Sequence, residues 1–392
     1  MPQTRIGNIP KIPLRPGERA KVDVARMSRV AGRHPGIRKV VGCMTGTSLD
    51  AIDVAALAID GHGLEMRVTI ESQVMLPLGD VGKRLRALAE QQPMTAADIA
   101  RTAHDFSLLH IDAIKEACGR KTPDLIAVHG QTVFHQPPVS WQLLNPSPIA
   151  WALNANVVFD LRGMDLAAGG QGAPITPMAD WVMFRHASER RSVINLGGFC
   201  NVTRLPGHHQ VRHLDGSDVC ACNQLLDRMA RALLNEPFDR DGRTALSGTV
   251  DGDAKADLAN LLSKQADAGR SLGTGDELGE WAERHALEEV ADTLRTACAA
   301  IAEVIVAKAL PSDRLVLAGG GARNRALVEE IRDRAGDVTV STTDDFGVPV
   351  SLREACAMGI LGALCEDVIP ISVPRITGVV KAPLSGSWVF VD

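Results

Sequence analysis

Carboxylates and glycines recur together at the ends of predicted strands in this chain. The first such place is the segment 42–53, where glycines and hydroxyl side chains form a tight turn that contains Asp50 and leads to Asp53. Such a turn can direct backbone N–H groups at an anion, and its carboxylates can hold Mg²⁺ directly or through water. An ordinary hairpin turn with a solvated aspartate explains the same residues. The turn is not a P-loop, because no Gly-Lys-Ser/Thr sequence follows it.

Two further glycine clusters follow predicted strands. The second cluster spans residues 195–201, and the third spans residues 319–324. Glycine lets the backbone approach a nucleotide closely, and the helix predicted after the third cluster favours negative charge at its N-terminus. A single cluster is weak support, whereas three clusters in two halves of the chain predict a cleft for phosphates and a nucleoside.

The elements that would position these turns are typical of an α/β protein. Strands are predicted over 39–44, 52–59, 65–75, 124–128, 157–160, 191–198, 201–205, 314–318 and 338–341. Helices are predicted over about 80–91, 96–118, 147–155, 220–234, 252–263, 285–309, 324–335 and 351–367. Each half opens with antiparallel strands, unlike a Rossmann domain. The halves therefore look like a duplicated α/β lobe whose glycine turns face one cleft.

Composition argues against several other classes of protein. The net charge of −5 gives no electrostatic case for nucleic acid or an anionic membrane, and aromatic residues at 3% leave few faces for base stacking. Eight dispersed cysteines do not make a disulfide framework. No apolar run is long enough to span a bilayer, and the basic N-terminus lacks the apolar region of a secretory signal. We therefore predict a cytoplasmic enzyme without nucleic-acid or membrane partners.

The motifs and their order resemble the anhydro-N-acetylmuramic acid kinase family. They are Met-x-Gly-Thr-Ser-Leu-Asp at 44–50, His-Gly-Gln-Thr at 129–132, Asp-Leu-Arg at 160–162, Ala-Ala-Gly-Gly-Gln-Gly-Ala-Pro at 167–174, Asn-Leu-Gly-Gly-Phe-x-Asn-Val-Thr at 195–203 and Gly-Gly-Gly-Ala-x-Asn at 319–324. The resemblance covers about residues 38–380. It implies two RNase H-like lobes of the actin-like sugar-kinase fold around a central ATP cleft.

This resemblance also implies a domain organisation and an activity. Residues 1–37 would be a flexible basic extension, 38–168 the N-terminal lobe and 169–392 the C-terminal lobe, whose last segment can pack back on the first lobe. The implied enzyme uses ATP and water to open the 1,6-anhydro bridge of anhydro-N-acetylmuramic acid and phosphorylate O6. That reaction belongs to peptidoglycan recycling, and members of the family are often homodimers.

Residue roles follow from the same resemblance. The implied nucleotide-binding residues are Gly46, Thr47, Ser48, Leu49, Asp50, Asp53, Gly197, Gly198, Asn201, Gly319, Gly320, Gly321 and Asn324. The implied sugar-binding residues are His129, Gln131, Thr132, Arg162, Gly172, Ala173 and Glu354. Asp50 and Asp218 would hold Mg²⁺ through water.

The chemistry of these side chains agrees with the implied roles. A guanidinium such as that of Arg162 suits a lactyl carboxylate, and the neutral groups of Gln131 and Thr132 suit sugar hydroxyls. A structural role remains the alternative for His129. An ordinary acidic residue in the first turn of a helix remains the alternative for Glu354.

The implied general base lies in the segment 216–227. Its family counterpart reads Gly-Phe-Asp-x-Gly-Pro-Gly-Asn-x-x-x-Asp, and this chain matches at Asp218, Asn223 and Asp227 without a gap. Asp218 would therefore deprotonate the water that attacks C1. Asp215 is the competitor, offset by three residues. An exposed turn aspartate is the alternative interpretation for either residue.

The chain departs from the family pattern in two places. Cys-Ala-Cys replaces Gly-Pro-Gly at 220–222, and the segment 270–277 is altered. These changes leave two other functions open, a kinase for another anhydro or amino sugar and a non-catalytic sugar- or nucleotide-binding regulator. Cys220 and Cys222, with three histidines at 208, 209 and 213, also raise the question of a metal site. Because zinc sites favour a wider cysteine spacing, a packed pair of thiols is preferred.

Overall fold

The structure is a computed structural model that describes residues 36–46, 48–208, 210–267, 281 and 289–391. Several sequence predictions fall outside these residues. They are Thr47, His209, most of the predicted extension 1–37, the altered segment 270–277 and residues 285–288 of a predicted helix.

Strands and helices alternate along most of the chain. The strands are β1 (Arg38–Met44), β2 (Ala51–Asp60), β3 (Arg67–Pro77), β4 (Leu125–Val128), β5 (Gln131–Gln136), β6 (Val139–Leu143), β7 (Asn156–Phe159), β8 (Arg191–Leu196), β9 (Phe199–Leu205), β10 (Asp215–Ala221), β11 (Arg314–Ala318), β12 (Thr339–Thr342) and β13 (Ser387–Val389). The helices are α1 (Gly79–Ala89), α2 (Ala96–Cys118), α3 (Pro146–Leu153), α4 (Gly163–Ala167), α5 (Pro177–Phe184), α6 (Asn223–Leu233), α7 (Arg243–Leu246), α8 (Gly252–Asp267), α9 (Val290–Ala309), α10 (Arg325–Ala335), α11 (Arg353–Glu366) and α12 (Pro374–Thr377). No helix of the described residues is long and apolar enough to cross a lipid bilayer.

Two sheets of the same topology form the framework. The first sheet contains the strand order β3-β2-β1-β4-β7, and the second has the order β10-β9-β8-β11-β12. In each sheet three antiparallel strands are followed by two that run parallel to the first of them. This 3-2-1-4-5 order is that of an RNase H-like lobe. The prediction of an α/β protein with two such lobes is confirmed.

The end of the chain returns to the first sheet. Strand β13 pairs antiparallel with β7, and α11 packs across β1, β2 and β4. Contact between α11 and β1 is direct, since a Cβ on Gly42 would overlap the carbonyl oxygen of Ala355 and the backbone nitrogen of Gly359. Gly42 thus serves backbone packing. It holds the first turn of α11 beside the glycine turn that follows β1.

A shared hydrophobic cluster lies between the two sheets. It contains Val40 and Val158 from the first sheet, Val193 and Val316 from the second, and most of the apolar side chains of α11. Short strands buried on both faces, such as β4, need helices on both sides, which is why they read as continuous apolar runs. Burial of apolar surface at this junction joins the two sheets.

Three features differ from the sequence predictions. The prediction of a helix from residue 220 is wrong at its start, because residues 215–221 form β10 and α6 begins at Asn223. Local residues of β10 favour a turn, but pairing with β9 overrides that preference, with a bulge between Asp218 and Cys220. The β5–β6 hairpin and β13 are absent from the sequence predictions. Both elements are short. Strand β13 depends on its pairing with the distant strand β7, and the hairpin depends on the structure that flanks it.

Candidate active site

A row of polar side chains crosses the second sheet. Asn195 of β8 lies opposite Asn201 of β9, which in turn lies opposite Asp218 of β10. Residues that face each other across antiparallel strands project from the same side of a sheet. On its other side Asn195 neighbours Ala318, which ends β11 and precedes the third glycine turn. The row therefore brings Asp218 and the second and third glycine turns to one edge of the sheet.

The two candidate bases occupy different environments. Asp215 pairs in register with Arg204, three positions from the pairing of Asp218, so its side chain projects from the opposite face. Its Oδ2 lies 3.0 Å from Nη2 of Arg204 in an ion pair. Asp218 is half-buried on a strand, so the interpretation as an exposed turn aspartate is wrong for it. Burial raises the pKa of Asp218 to about 6, although the positive charge of Arg162 opposes that shift.

Arg162 is the cation that faces Asp218. It follows β7, and its Nε donates to Nε2 of His129 at 3.0 Å, while Nη1 donates to the carbonyl oxygen of Gly172 at 2.5 Å. Burial lowers the pKa of Arg162 to about 10, and the charges of Asp218 and Glu354 work against that decrease. Nη2 donates to none of the described residues. Arg162 therefore sits between a fixed support and two carboxylates, with one nitrogen available to a ligand.

His129 holds Arg162 in place through a hydrogen bond. Only 3% of its surface is exposed, and its Nδ1 lies 2.9 Å from the carbonyl oxygen of Gly130. Since that oxygen can only accept, Nδ1 carries the proton and Nε2 accepts from Arg162. Burial and then the charge of Arg162 lower the pKa of His129 to about 3. The side chain is a neutral positioning group, which agrees with the structural alternative; its contact with a sugar stays a prediction.

The glycine-rich loop 169–173 is folded around Asp165. This buried carboxylate accepts from the backbone N–H of Gly172 at 2.7 Å and from the hydroxyl of Thr377 at 2.8 Å. A Cβ on Gly170 would overlap the same carboxylate. The loop thereby presents the Gly172 carbonyl to Arg162 and leaves Ala173 half-buried beside it. Sequence reasoning missed Asp165, because nothing in its local pattern separates it from an ordinary helix aspartate.

The β5–β6 hairpin carries Gln131 and Thr132 at its base. Gln131 is 3% exposed, and its Oε1 has no hydrogen-bond partner among the described residues. The Nε2 of Gln142 donates to the Thr132 hydroxyl at 3.3 Å and to the Ser140 hydroxyl at 2.8 Å. Burial and the charge of Arg162 lower the pKa of His135 to about 4, so the polar face of the hairpin lies near Arg162. The sequence analysis missed the hairpin and therefore this face.

The first glycine turn is held by its own side chains and by Arg86 of α1, whose Nη2 donates to the Ser48 carbonyl oxygen. The Ser48 hydroxyl donates to Oδ1 of Asp50 at 2.5 Å, and the same oxygen accepts from the N–H of Ala51. Leu49 adopts a positive φ of 55°, and its N–H donates to the Gly46 carbonyl. Ser48 and Asp50 are exposed, whereas Leu49 is buried. The turn thus presents polar groups outward and anchors itself through one apolar side chain.

Carboxylates from both halves converge on this turn. The Oδ1 of Asp53 is buried without a partner among the described residues. Burial, together with the charges of Asp50 and Glu354, raises the pKa of Asp53 to about 7, and Arg323 of the third turn opposes that shift. Burial raises the pKa of Asp227 on α6 to about 6, with a contribution from Asp50. Charged groups of the first and third glycine turns therefore act on one acidic cluster, which contains Asp50, Asp53, Asp227 and Glu354.

This acidic cluster suits a hydrated divalent cation. Its carboxylates repel one another, and oxygen ligands are those that Mg²⁺ prefers. Within the described residues no three His, Cys, Asp or Glu side chains are already arranged to hold a metal ion. Mg²⁺ usually keeps several waters and takes one or two carboxylates, so Asp50 and Asp53 are a suitable set.

Glu354 lies between the acidic cluster and the row of polar side chains on the second sheet. It lies in the first turn of α11, and its Oε1 is 3.4 Å from Nδ2 of Asn195. Burial raises the pKa of Glu354, while the charges of Arg353 and Arg162 oppose that shift. The neighbouring Arg353 is buried in an ion pair with Asp180. Glu354 therefore lies beside Asn195 of the row, and its contact with a sugar stays a prediction.

The second and third turns have distinct local reasons for their glycines. Carbonyl oxygens of Gly197 and Gly198 accept from the N–H groups of Asn223 and Cys222, at 3.0 and 2.9 Å. Gly319 has a φ of 81°, a conformation that side chains rarely adopt. Asn324 uses its side-chain oxygen to cap α10 through the N–H of Leu327 at 3.1 Å. Contact between Asn324 and a nucleotide stays a prediction.

The cysteine pair lies in the core. Cys220 and Cys222 are fully buried free thiols. His208 and His213 contact each other at the surface, with 3.2 Å between their ring nitrogens. The packed-thiol interpretation agrees with this arrangement. The departure from the family pattern at 220–222 therefore lies in a hydrophobic core cluster.

Comparisons with known proteins agree on one family. A family model for anhydro-N-acetylmuramic acid kinase matches residues 38–390. Two enzymes of that description, from Bacillus cereus (strain 03BB102) and Bacillus anthracis (strain A0248), are each 29% identical over 377 residues, which is 90% of this chain and 99% of theirs.

Solved structures show a more distant likeness. The (R)-2-hydroxyglutaryl-CoA dehydratase component A from Acidaminococcus fermentans is 13% identical, with a TM-score of 0.44 over 84% of this chain and 99% of that one. A ROK family glucokinase from Streptomyces griseus, in complex with glucose and AMPPNP, is 14% identical, with a TM-score of 0.38 over 84% and 98%.

Proposed function

Since this chain belongs to the anhydro-N-acetylmuramic acid kinase family, we propose that it converts 1,6-anhydro-N-acetylmuramic acid, ATP and water to N-acetylmuramate 6-phosphate and ADP. The enzyme is a phosphotransferase, and the proposal specifies its acceptor. One observation carries it: the cation Arg162, held by His129, lies close enough to the half-buried Asp218 for each charge to act on the other. A carboxylate that can take a proton and a guanidinium that can bind a carboxylate are what this acceptor requires.

The sugar side would be formed by the first lobe. Nη2 of Arg162 is oriented by His129 and the Gly172 carbonyl, so it can bind the lactyl carboxylate without further ordering. The unpartnered Oε1 of Gln131 and the hydroxyl of Thr132 would accept from sugar hydroxyls. The backbone of Gly172 and Ala173 would close the same side.

Asp218 would act as the general base. It takes a proton from water as the water oxygen bonds to C1 and the C1–O6 bond breaks. The freed O6 attacks the γ-phosphorus, and the bond to the bridging oxygen breaks to release ADP. A pKa near 6 leaves Asp218 ionised at neutral pH, yet more basic than an ordinary aspartate. Asp215 is unsuited to this role because it faces the other side of β10 and pairs with Arg204.

The nucleotide side would combine the three glycine turns. Ser48, Leu49 and Gly46 with Thr47 would surround the terminal phosphates, together with Gly197, Gly198 and Asn201. Gly319, Gly320, Gly321 and Asn324 would hold the remaining nucleotide. When bound, Mg²⁺ neutralises charge on the transferred phosphoryl group. Asp50 and Asp53 would hold it, with Glu354 beside them and Asp218 connected through water.

Further parts of the proposal concern cellular context. The activity would serve peptidoglycan recycling in the cytoplasm, where ATP is available and eight free thiols remain reduced. A homodimer and a lobe boundary near residue 168 stay predictions.

Mass spectrometry in ¹⁸O-labelled water tests the proposed reaction. The protein is incubated with anhydro-N-acetylmuramic acid, ATP and Mg²⁺, with levoglucosan as a parallel acceptor. We expect a phosphorylated sugar that carries one ¹⁸O at C1. Turnover of levoglucosan alone would identify a kinase for another anhydrosugar. Binding of both ligands without any product would identify a regulator and contradict the proposal.

A further inference from the structure

Asn223 connects α6 to the second glycine turn. Its side-chain Nδ2 donates to the carbonyl oxygen of Leu196 at 2.9 Å, and its backbone N–H donates to the carbonyl of Gly197 at 3.0 Å. It is half-buried at the first position of the helix. Two consecutive carbonyls of the turn are therefore held by one residue.

The third glycine turn packs on the other side of the same amide. A Cβ on Gly321 would lie 2.8 Å from Oδ1 of Asn223 and 2.8 Å from Cβ of Leu196, closer than real side chains approach. A Cβ on Gly320 would lie 3.8 Å from Nδ2 of Asn223, which is ordinary contact. Gly321 is thus needed for the close approach of the third turn to Asn223.

We propose that Asn223 is a positioning residue that holds the second and third glycine turns together as one preformed nucleotide-binding unit. The inference rests on the proposed function, in which both turns contact ATP. The side-chain nitrogen of Asn223 donates to the second turn, and its side-chain oxygen packs against the third turn. The orientation of this amide therefore fixes the position of one turn relative to the other. Such preorganisation strengthens binding because fewer groups must be ordered when the ligand arrives.

The first test is calorimetric titration of the sugar-free protein with Mg²⁺ and AMPPNP. Asn223→Ala removes the amide, and one lost hydrogen bond predicts about tenfold weaker nucleotide binding. We expect KM for ATP to rise similarly, while KM for the sugar changes less than about twofold. Gln224→Ala is the matched control, since that neighbouring side chain is exposed and should leave both constants unchanged.

The second test uses the glycines and does not depend on Asn223→Ala folding well. Gly321→Ala should weaken AMPPNP binding clearly more than Gly320→Ala, because only the former meets Asn223 at close range. In the Asn223→Ala background, the loss caused by Gly321→Ala should shrink, since one of its two close contacts is gone. Equal effects of the two glycine substitutions, or strictly additive losses in the double variant, would overturn the proposal.

The two proposals fail in different ways. If the wild-type protein binds AMPPNP and Asn223→Ala binds it equally well, the role of Asn223 is refuted and the kinase proposal stands. If the wild-type protein binds no AMPPNP, the nucleotide site itself is refuted and both proposals fall. Melting temperatures of all variants, measured without ligand, separate loss of positioning from loss of folded protein.

Discussion

The two lobes share one sheet topology but contribute different chemistry. At the strand ends of the first lobe, Arg162 donates to His129, and lowered pKa values keep His129 and the nearby His135 neutral. At the strand ends of the second lobe lie a row of asparagines, Asp218 and two interlocked glycine turns. The shared topology supplies equivalent positions, and the groups placed on them decide what each lobe can bind.

The lobes also differ in how their turns are held. The first turn depends on its own Ser48, Asp50 and buried Leu49 and on Arg86 of the same lobe. The second and third turns depend on each other through Asn223. The first turn is therefore fixed within its own lobe, whereas the second and third turns are fixed to each other.

The largest expected effect separates the two faces of β10. Asp218→Asn should lower kcat by about 10³-fold, the scale of lost general-base catalysis, while ATP still binds. Asp215→Asn is the matched control, because it breaks only a partly exposed ion pair with Arg204 and should keep most of the activity. Steady-state rates of both variants measure the difference. Full activity of Asp218→Asn with loss in Asp215→Asn would reverse the assignment of the base.

The next largest effect on activity is expected for Arg162, compared with His129, which accepts a hydrogen bond from it. Arg162→Gln should lower kcat/KM for the sugar by about 100-fold, since a buried charge partner is lost. His129→Ala should cost less, about tenfold, because it only misorients Arg162. Nucleotide affinity, measured separately, should change little in either variant. A larger loss from His129→Ala than from Arg162→Gln would show that the histidine itself contacts substrate.

A pH profile sharpens the role of Asp218. Its raised pKa of about 6 means that the base becomes protonated as pH falls through that value. We expect kcat/KM to fall about tenfold per pH unit below about 6 and to level off above it. An acid limb at the pH of an ordinary aspartate would contradict the raised pKa of Asp218.

Stability should respond to the same group in the opposite direction. The folded protein holds the Asp218 proton more tightly than the unfolded chain does, so its contribution to stability is complete below about 4 and is lost as pH rises through about 6. Asp218→Asn should therefore raise the melting temperature relative to wild type at pH 7, and the difference should shrink towards pH 4. Thermal melts at the two pH values measure it.

The smallest functional effect, but a clear structural one, concerns the attachment of α11 to the first lobe. Gly42→Ala would force the backbones of β1 and α11 apart, and overpacking costs about 1–3 kcal/mol or more. Gly252→Ala is the control, because a Cβ there meets nothing within 4 Å. Denaturant melts should show a loss only for Gly42→Ala. Unchanged stability of both variants would mean that α11 does not pack closely on β1.

Local features of the fold could be predicted from the sequence. Apolar runs such as Leu125–Val128 mark buried strands, and Thr95 with Asp98 marks the start of α2, where the predicted cap forms at 3.2 Å. Motif order further identified the family, whereas the catalytic role of Asp218 stays a prediction. These signals are local or shared with relatives, so they can be recognised in the sequence without knowledge of the tertiary contacts.

The sequence by itself therefore determined the α/β composition, the duplicated lobes, the three glycine turns and a short list of chemical groups. Only the tertiary structure decided that Asp218 stands on a strand beside Asn201, that Asp165 organises a loop through Thr377, and that Asn223 fits between two turns. Thr377 is separated from Asp165 by 212 positions, and no local pattern encodes such a pairing. Long-range packing and strand register select these neighbours, because they depend on the whole fold and not on adjacent residues.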